Sequence, residues 1–266
     1  MRRDVSAHLT IEVTSAATLA LAVTVVPGHG AEESLRITLD GVPVSPEEVT
    51  DSDGTRLHVV RADPGRLVVD YAARVHGRHE DAVTPSPTTA DLLRFLRPSR
   101  YAESDSLGPT AGAEFAGLAG TDLLAAVSSW VGTRLQYVPG SSQPTDGAVQ
   151  TLLARRGVCR DYAHLVVGLL RALDVPARLA AVYAPGLDPM DFHAVAEAFV
   201  DGAWHVVDAT TLAPRSTLVR IAAGRDAADT AFLSVYDGTA TLADLEVAAV
   251  ADDLPDDDVH RLVRLG

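Results

Sequence analysis

GVCRDYAHL, residues 157–165, holds the only cysteine in 266 residues. How this stretch is read decides the fold. Either Cys159 is a small apolar filler, or it is a nucleophile that the rest of the chain is built to activate. After it, Tyr162, Leu165, Val166, Leu169, Leu170 and Leu173 fall at i, i+3, i+4, i+7, i+8 and i+11, which predicts a helix. Ala163 and Val167 widen the stripe, so the helix should be buried on most sides, and Asp174 and Pro176 should end it. Gly157 lies two residues before the cysteine, which puts the thiol in the first helical turn. Unpaired N–H groups and the positive dipole end at that position favour a thiolate.

A nucleophilic cysteine needs a base, and the base needs an acceptor to orient it. Nine histidines are available. His193 stands out because it opens DFHAVAEAFVDGAWHVVDATT (191–211), where Asp201-Gly202 separates two β-rich runs and predicts a two-residue hairpin loop. Val200 then pairs with Ala203, Val195 faces Asp208 and His193 faces Thr210. His193 and Asp208 become same-face diagonal neighbours, about 7–8 Å apart at the backbone and within reach of a hydrogen bond. His205 has the opposite parity and sits with Ala194, Ala196 and Ala198. His164 is five residues past Cys159, about 140° round the helix, and points elsewhere.

The remaining residues carry the chain outward from this centre. Residues 1–78 consist of short β-branched runs (LTIEVT, TLALAVTVV, SLRITLDG, TRLHVVRA, GRLVVDYAARV) separated by PGHG, DGVPVSP, DSDG and ADPG. That pattern predicts a small antiparallel β-sandwich. Residues 79–110 contain Pro85, Pro87, Pro98 and Pro109 and read as a linker with one short helix at 88–96. A helix should follow in TDLLAAVSSWVGTRLQYVPG, capped by Thr121 or Asp122, with Leu123, Leu124, Val127, Val131 and Leu135 on one face. A short helix at 145–155 and a strand at 177–184 complete the pattern. Two domains are expected, 1–80 and 81–266.

A net charge of −14 argues against a general nucleic-acid binder, which needs a basic patch to neutralise phosphates. No stretch is long enough to span a bilayer, and MRR followed by AATLALAVTVV is interrupted by Asp4, His8 and Glu12, unlike a leader peptide. One cysteine makes no internal disulfide, and a cytoplasmic setting is expected. ADDLPDDD (251–258) reads as a solvated tail. Asp161 should cap or pair locally in the first helical turn, Glu197 should be a solvated strand residue, and Arg225, Asp226 and Asp229 should brace a wall. HAVAE lacks paired metal-binding histidines and no phosphate-binding glycine loop occurs, so neither a metal nor a cofactor is expected.

Taken in order, GVCRDYAHL, DFHAVAEAF and WHVVDAT resemble the cysteine, histidine and aspartate blocks of the transglutaminase-like superfamily of bacterial proteins. LRPSRYAESD and GRDAADTAF (224–232) resemble its flanking segments, and the N-terminal β region resembles the one preceding the catalytic domain in many members. The resemblance covers most of residues 90–232. It implies an α+β fold with a papain-like cysteine-hydrolase core, Cys159 as nucleophile, His193 as general base and acid, and Asp208 as orienter. Many members have an aromatic residue soon after the histidine and a proline after the aspartate; here the stretches are HAVAE and DAT. An oxyanion helper upstream of the cysteine is also implied, with Gln136 and Tyr137 as candidates by position. The expected chemistry is acyl transfer through a thioester on a peptide or protein substrate, with hydrolysis preferred. The alternatives are transfer to an amine, as in a protein-glutamine transglutaminase, and a non-catalytic peptide-binding module on the same fold.

Overall fold

The structure is a computed structural model that describes residues 1–27, 31–77 and 87–265. The long N-terminal runs alternate buried and exposed side chains, as half-buried strands do. They form β1 (Arg2–Ser15), β2 (Ala17–Leu21), β3 (Glu32–Leu39), β4 (Val42–Pro43), β5 (Glu47–Thr50), β6 (Arg56–Ala62) and β7 (Gly65–His76). Two further strands near the C-terminus, β14 (Leu233–Tyr236) and β15 (Thr239–Ala251), complete their sheets. One sheet has the order β15-β1-β7-β3-β4 and the other β14-β2-β6-β5, all antiparallel. Their inward residues, among them Leu9, Ile11, Leu19, Leu21, Leu67 and Val69, share one hydrophobic cluster. The boundary expected at 80/81 lies outside the described residues. It would nevertheless separate β14 and β15 from the sheets they complete.

Between these two groups of strands runs a mixed helical and sheet region. It contains α1 (Thr89–Arg94), α2 (Ser104–Phe115), α3 (Gly120–Arg134), β8 (Gln136–Tyr137), α4 (Ala148–Ala154), β9 (Arg156–Gly157), α5 (Cys159–Ala172), β10 (Ala177–Tyr183), β11 (His193–Val200), β12 (Ala203–Val207), β13 (Val219–Gly224) and α6 (Ala227–Thr230). The central antiparallel sheet has the order β12-β11-β10-β13. Helix α5 is buried nearly all round, as its widened stripe predicts, and packs with α2 and α3 into a cluster that also takes Ala196, Ala198 and Val207 from the sheet and Ala209 from just beyond it.

Three expectations need correcting. Residues 104–115 form α2 although Pro109 lies inside it, because Leu107, Ala111 and Phe115 recur along one side and are buried in the helical core. Packing there outweighs the proline's lost hydrogen bond. Helix α3 begins at Gly120 after Ala119 and has no side-chain cap, so neither Thr121 nor Asp122 performs that role. The acidic 251–258 segment is not a free tail. Arg215, 5% exposed, holds Asp257 with its Nε (2.9 Å) and Nη2 (2.9 Å) and donates to the Asp258 and Arg261 carbonyls. The Val206 N–H then donates to the Val263 carbonyl at 2.8 Å, covering part of the β12 edge, and Leu265 enters a core cluster with Val182, Val195 and Val206.

Candidate active site

The site begins with the short β8–β9 pair. Parallel pairing of Tyr137 with Gly157 fixes the backbone just before α5, and Cys159 is the first residue of that helix. Asp161 Oδ2 accepts the Val158 N–H at 2.8 Å, and Arg160 Nη2 donates to Asp161 Oδ1 at 3.1 Å. This satisfies one orphan donor of the helix start with a buried carboxylate. Gly157 is required by crowding, since a Cβ there would lie 2.7 Å from the Asp161 Cβ. Cys159 itself is half-buried, so reagent can reach it.

Asp201 and Gly202 form the loop between β11 and β12, both with positive φ as a tight hairpin turn requires. The register runs from Val200↔Ala203 to Ala196↔Val207 without slip. His193 opens β11, and Asp208 follows the last residue of β12. The two side chains meet, with His193 Nε2 and Asp208 Oδ2 at 3.0 Å and both residues buried. A carboxylate can only accept, so Nε2 carries the proton and Nδ1 is the free base of the neutral ring. Nδ1 is buried with no hydrogen-bond partner among the described residues. Cys159 is the second group acting on the ring.

Burial works against protonation of His193, but the Asp208 charge and hydrogen bond, with Cys159 adding to them, push its pKa up to about 10. Burial likewise works against the Asp208 carboxylate, yet His193 and Thr210 hold its pKa below the usual value. Thr210 does so with both its Oγ1 (2.7 Å) and its N–H (2.8 Å) on Asp208 Oδ1. Sequence reasoning placed Thr210 opposite His193 but gave it no role; the Asp-x-Thr spacing, which favours a local Asp-centred turn, was the available signal. Ser128 on α3 adds a bond to the Asp208 carbonyl at 3.2 Å, and Gly132 lets that helix approach so closely that a Cβ there would lie 2.7 Å from the Ala209 oxygen.

Of the two upstream candidates, the structure brings Tyr137 to the thiol. Burial first, then the charge of Cys159, pushes the Tyr137 pKa up to about 12, while the backbone N–H of Cys159 acts in the opposite direction. The hydroxyl therefore stays protonated beside that N–H. Gln136 is exposed and, one residue along the strand, points to the other side. No side-chain hydrogen bond of Gln136 occurs among the described residues.

The other residues singled out from sequence serve the scaffold. His164 is fully buried, accepts the Ala227 N–H on Nε2 at 3.1 Å and stacks on Tyr101. His205 is buried on the opposite strand face, and burial lowers its pKa. Glu197 is not solvated: it is buried between Arg178 (2.8 Å) and Arg220 (2.6 Å). Arg225 pairs with Asp229, and Asp226 caps α6 and accepts the Tyr101 N–H.

A sequence model described as the transglutaminase-like superfamily matches residues 114–209. The crystal structure of a candidate cysteine protease from Cytophaga hutchinsonii superposes with a TM-score of 0.85 at 32% identity, covering 96% of this chain and 92% of that one. ML0607, an uncharacterised protein of Mycobacterium leprae, is 29% identical over 122 residues, 42% of this chain. That match spans 44% of the Mycobacterium leprae protein, less than half its length.

Proposed function

The chain belongs to the transglutaminase-like superfamily, a family of thiol-dependent acyl transfer, and we propose that it is a cysteine protease or amidase acting on a peptide or protein through Cys159, His193 and Asp208. The observation that carries this reading is the buried 3.0 Å bond between His193 Nε2 and Asp208 Oδ2, which leaves Nδ1 for the thiol. The likeness to a candidate cysteine protease over nearly the whole chain supports it.

The steps follow from the atoms. The Cys159 Sγ attacks the carbonyl carbon, a C–S bond forms and the carbonyl π electrons move to oxygen. The oxyanion takes hydrogen bonds from the Cys159 N–H and the Tyr137 hydroxyl. As the C–N bond breaks, the proton on His193 Nδ1 passes to the departing amine, leaving a thioester. Water then attacks, its proton goes to Nδ1, and the thiolate leaves. Asp208 keeps the ring in one orientation and stabilises its imidazolium form throughout.

Alkylation of the folded protein tests the reading with no ambiguity of site, because only one thiol exists. Rapid labelling at pH 6, slowed about tenfold or more in His193→Ala, is the expected result. Slow labelling unaffected by the substitution would sink it. Hydrolysis and transfer part only at the second step. All 22 basic residues are arginine, so a labelled glutamine peptide faces no competing lysine on the enzyme when a lysine-like amine is added. Peptide cleavage without amine incorporation is expected.

A further inference from the structure

Exposed apolar side chains occur on the segments that lead to the site residues. Tyr137 and Val138 follow one another on one side, 40% and 37% exposed, and Met190 on the 188–192 segment is 44% exposed. One negative charge interrupts them. Asp191 is exposed, two residues before His193, and acts electrostatically on both the His193 ring and the Tyr137 hydroxyl. It therefore lies within electrostatic reach of the reacting centre, on the segment that leads into β11. Its position is firmly held: the Phe192 N–H donates to Asp191 Oδ1 at 2.7 Å, and the Phe192 ring packs against Tyr183 (5.5 Å) and Phe232 (5.0 Å). No arginine forms an ion pair with Asp191 among the described residues. The nearest basic side chain along the thiol helix, Arg160, is already bonded to Ser142, the Gln143 carbonyl and Asp161.

We propose that Asp191 is the specificity-determining residue of this site and selects substrates whose amine portion carries a positive charge beside the bond being exchanged. The proposal rests on the catalytic reading above and names the chemistry it serves. His193 hands its proton to the amine, so the amine side of the scissile carbonyl is the side His193 occupies. Asp191, two residues before it in the chain, acts electrostatically on that ring. An ammonium or guanidinium group placed there gains a carboxylate that no arginine among the described residues neutralises, and a neutral isostere does not. An anionic group is repelled.

The lone thiol allows a test that does not require turnover. Methanethiosulfonate reagents form a disulfide with the Cys159 thiolate and release methanesulfinate, and they exist in cationic (trimethylammonium-ethyl) and neutral (methyl) forms. The ratio of cationic to neutral labelling rates should fall about fivefold in Asp191→Asn, as expected for unit charges about 8 Å apart at partial exposure. Asparagine keeps the acceptor for the Phe192 N–H, so the backbone anchor survives. Glu47→Gln, which removes an equal charge on the exposed β5, should leave the ratio as it was. An unchanged ratio in Asp191→Asn, or an equal fall in Glu47→Gln, would overturn the proposal.

Cleavage of a pooled peptide library, compared with the same pool after lysine acetylation, then reads the substrate class. The native pool should be cut faster, and Asp191→Asn should narrow that difference. Equal cutting of the two pools by the wild type would overturn the substrate assignment. If no pool is cut but the labelling ratio still moves, the protease reading fails, and Asp191 stands as a cation-recognising group on a binding module.

Discussion

At the residue scale, the site is governed by which nitrogen of His193 holds which proton. Its raised pKa has a definite sign. The folded value of about 10 lies above the unfolded value near 6.5, so the proton stabilises the fold fully below about pH 6.5. That contribution declines as pH rises and is gone above about pH 10. Peptide cleavage should accordingly keep its alkaline limb near pH 10, measured as kcat/KM against pH. Asp208→Asn removes the charge that holds the proton and presents an amide in its place. It should lower kcat by about a hundredfold or more and flatten the alkaline decline of the melting temperature. The pairing of these two residues was legible because Asp201-Gly202 fixes the turn, and the turn fixes every facing pair after it. Thr210 was not legible as a partner, because it acts through Asp208 from beyond the last paired residue of β12. Tyr137→Phe probes the remaining hydroxyl: about a tenfold to hundredfold loss of kcat with little change in KM is expected if it meets the oxyanion.

At the scale of elements, the start of α5 links the thiol to the fold. Asp161 is buried, accepts the Val158 N–H and receives Arg160, so Asp161→Ala leaves that donor unpaired and takes from Arg160 its carboxylate, leaving it Ser142 and the Gln143 carbonyl. A loss of about 2–4 kcal/mol is expected in urea unfolding, with Cys159 labelling altered because the first turn frays. Asp161→Asn keeps an acceptor for the N–H and should recover about half of that stability. This helix was readable from its stripe and its preceding glycine. Helix α2 was not: Gly108-Pro109 is a breaker by local rules, and only the spacing of Leu107, Ala111 and Phe115, read against a core not visible in the segment itself, identifies it. Glu197 illustrates the same limit. Its place in a strand was readable, but its burial depends on Arg178 and Arg220 arriving from two other strands.

At the scale of the whole molecule, the N-terminal sheets and the helical and sheet core are tied together by the chain's return. β15 pairs with β1 across more than 200 residues of sequence, Arg3↔Ala251 through Ser15↔Thr239. Alternation can identify a strand but does not name a partner that distant, which is why the sheets drew on residues a sequence boundary assigned elsewhere. The chain then continues over the core. Arg3 donates to the Leu218 carbonyl at 3.2 Å, and the Tyr183 hydroxyl donates to the Val23 carbonyl at 2.7 Å, so the β10 and β13 ends are bonded directly to the N-terminal region. The final segment closes the other side through Arg215, Val263 and Leu265. Deleting residues 252–266 strips a buried arginine of its carboxylate, uncovers the Val206 N–H and empties the place of Leu265. The combined cost should be about 3–5 kcal/mol, which lowers the melting temperature of a chain this size by about 6 °C or more. Arg215→Met tests the cause: with the charge gone, nothing buried needs Asp257. That variant should then sit between wild type and the truncated chain, because Leu265 and the Val206–Val263 bond remain. A truncated chain that melts with the wild type would show that the strap rests on the surface and adds nothing to the core beneath it.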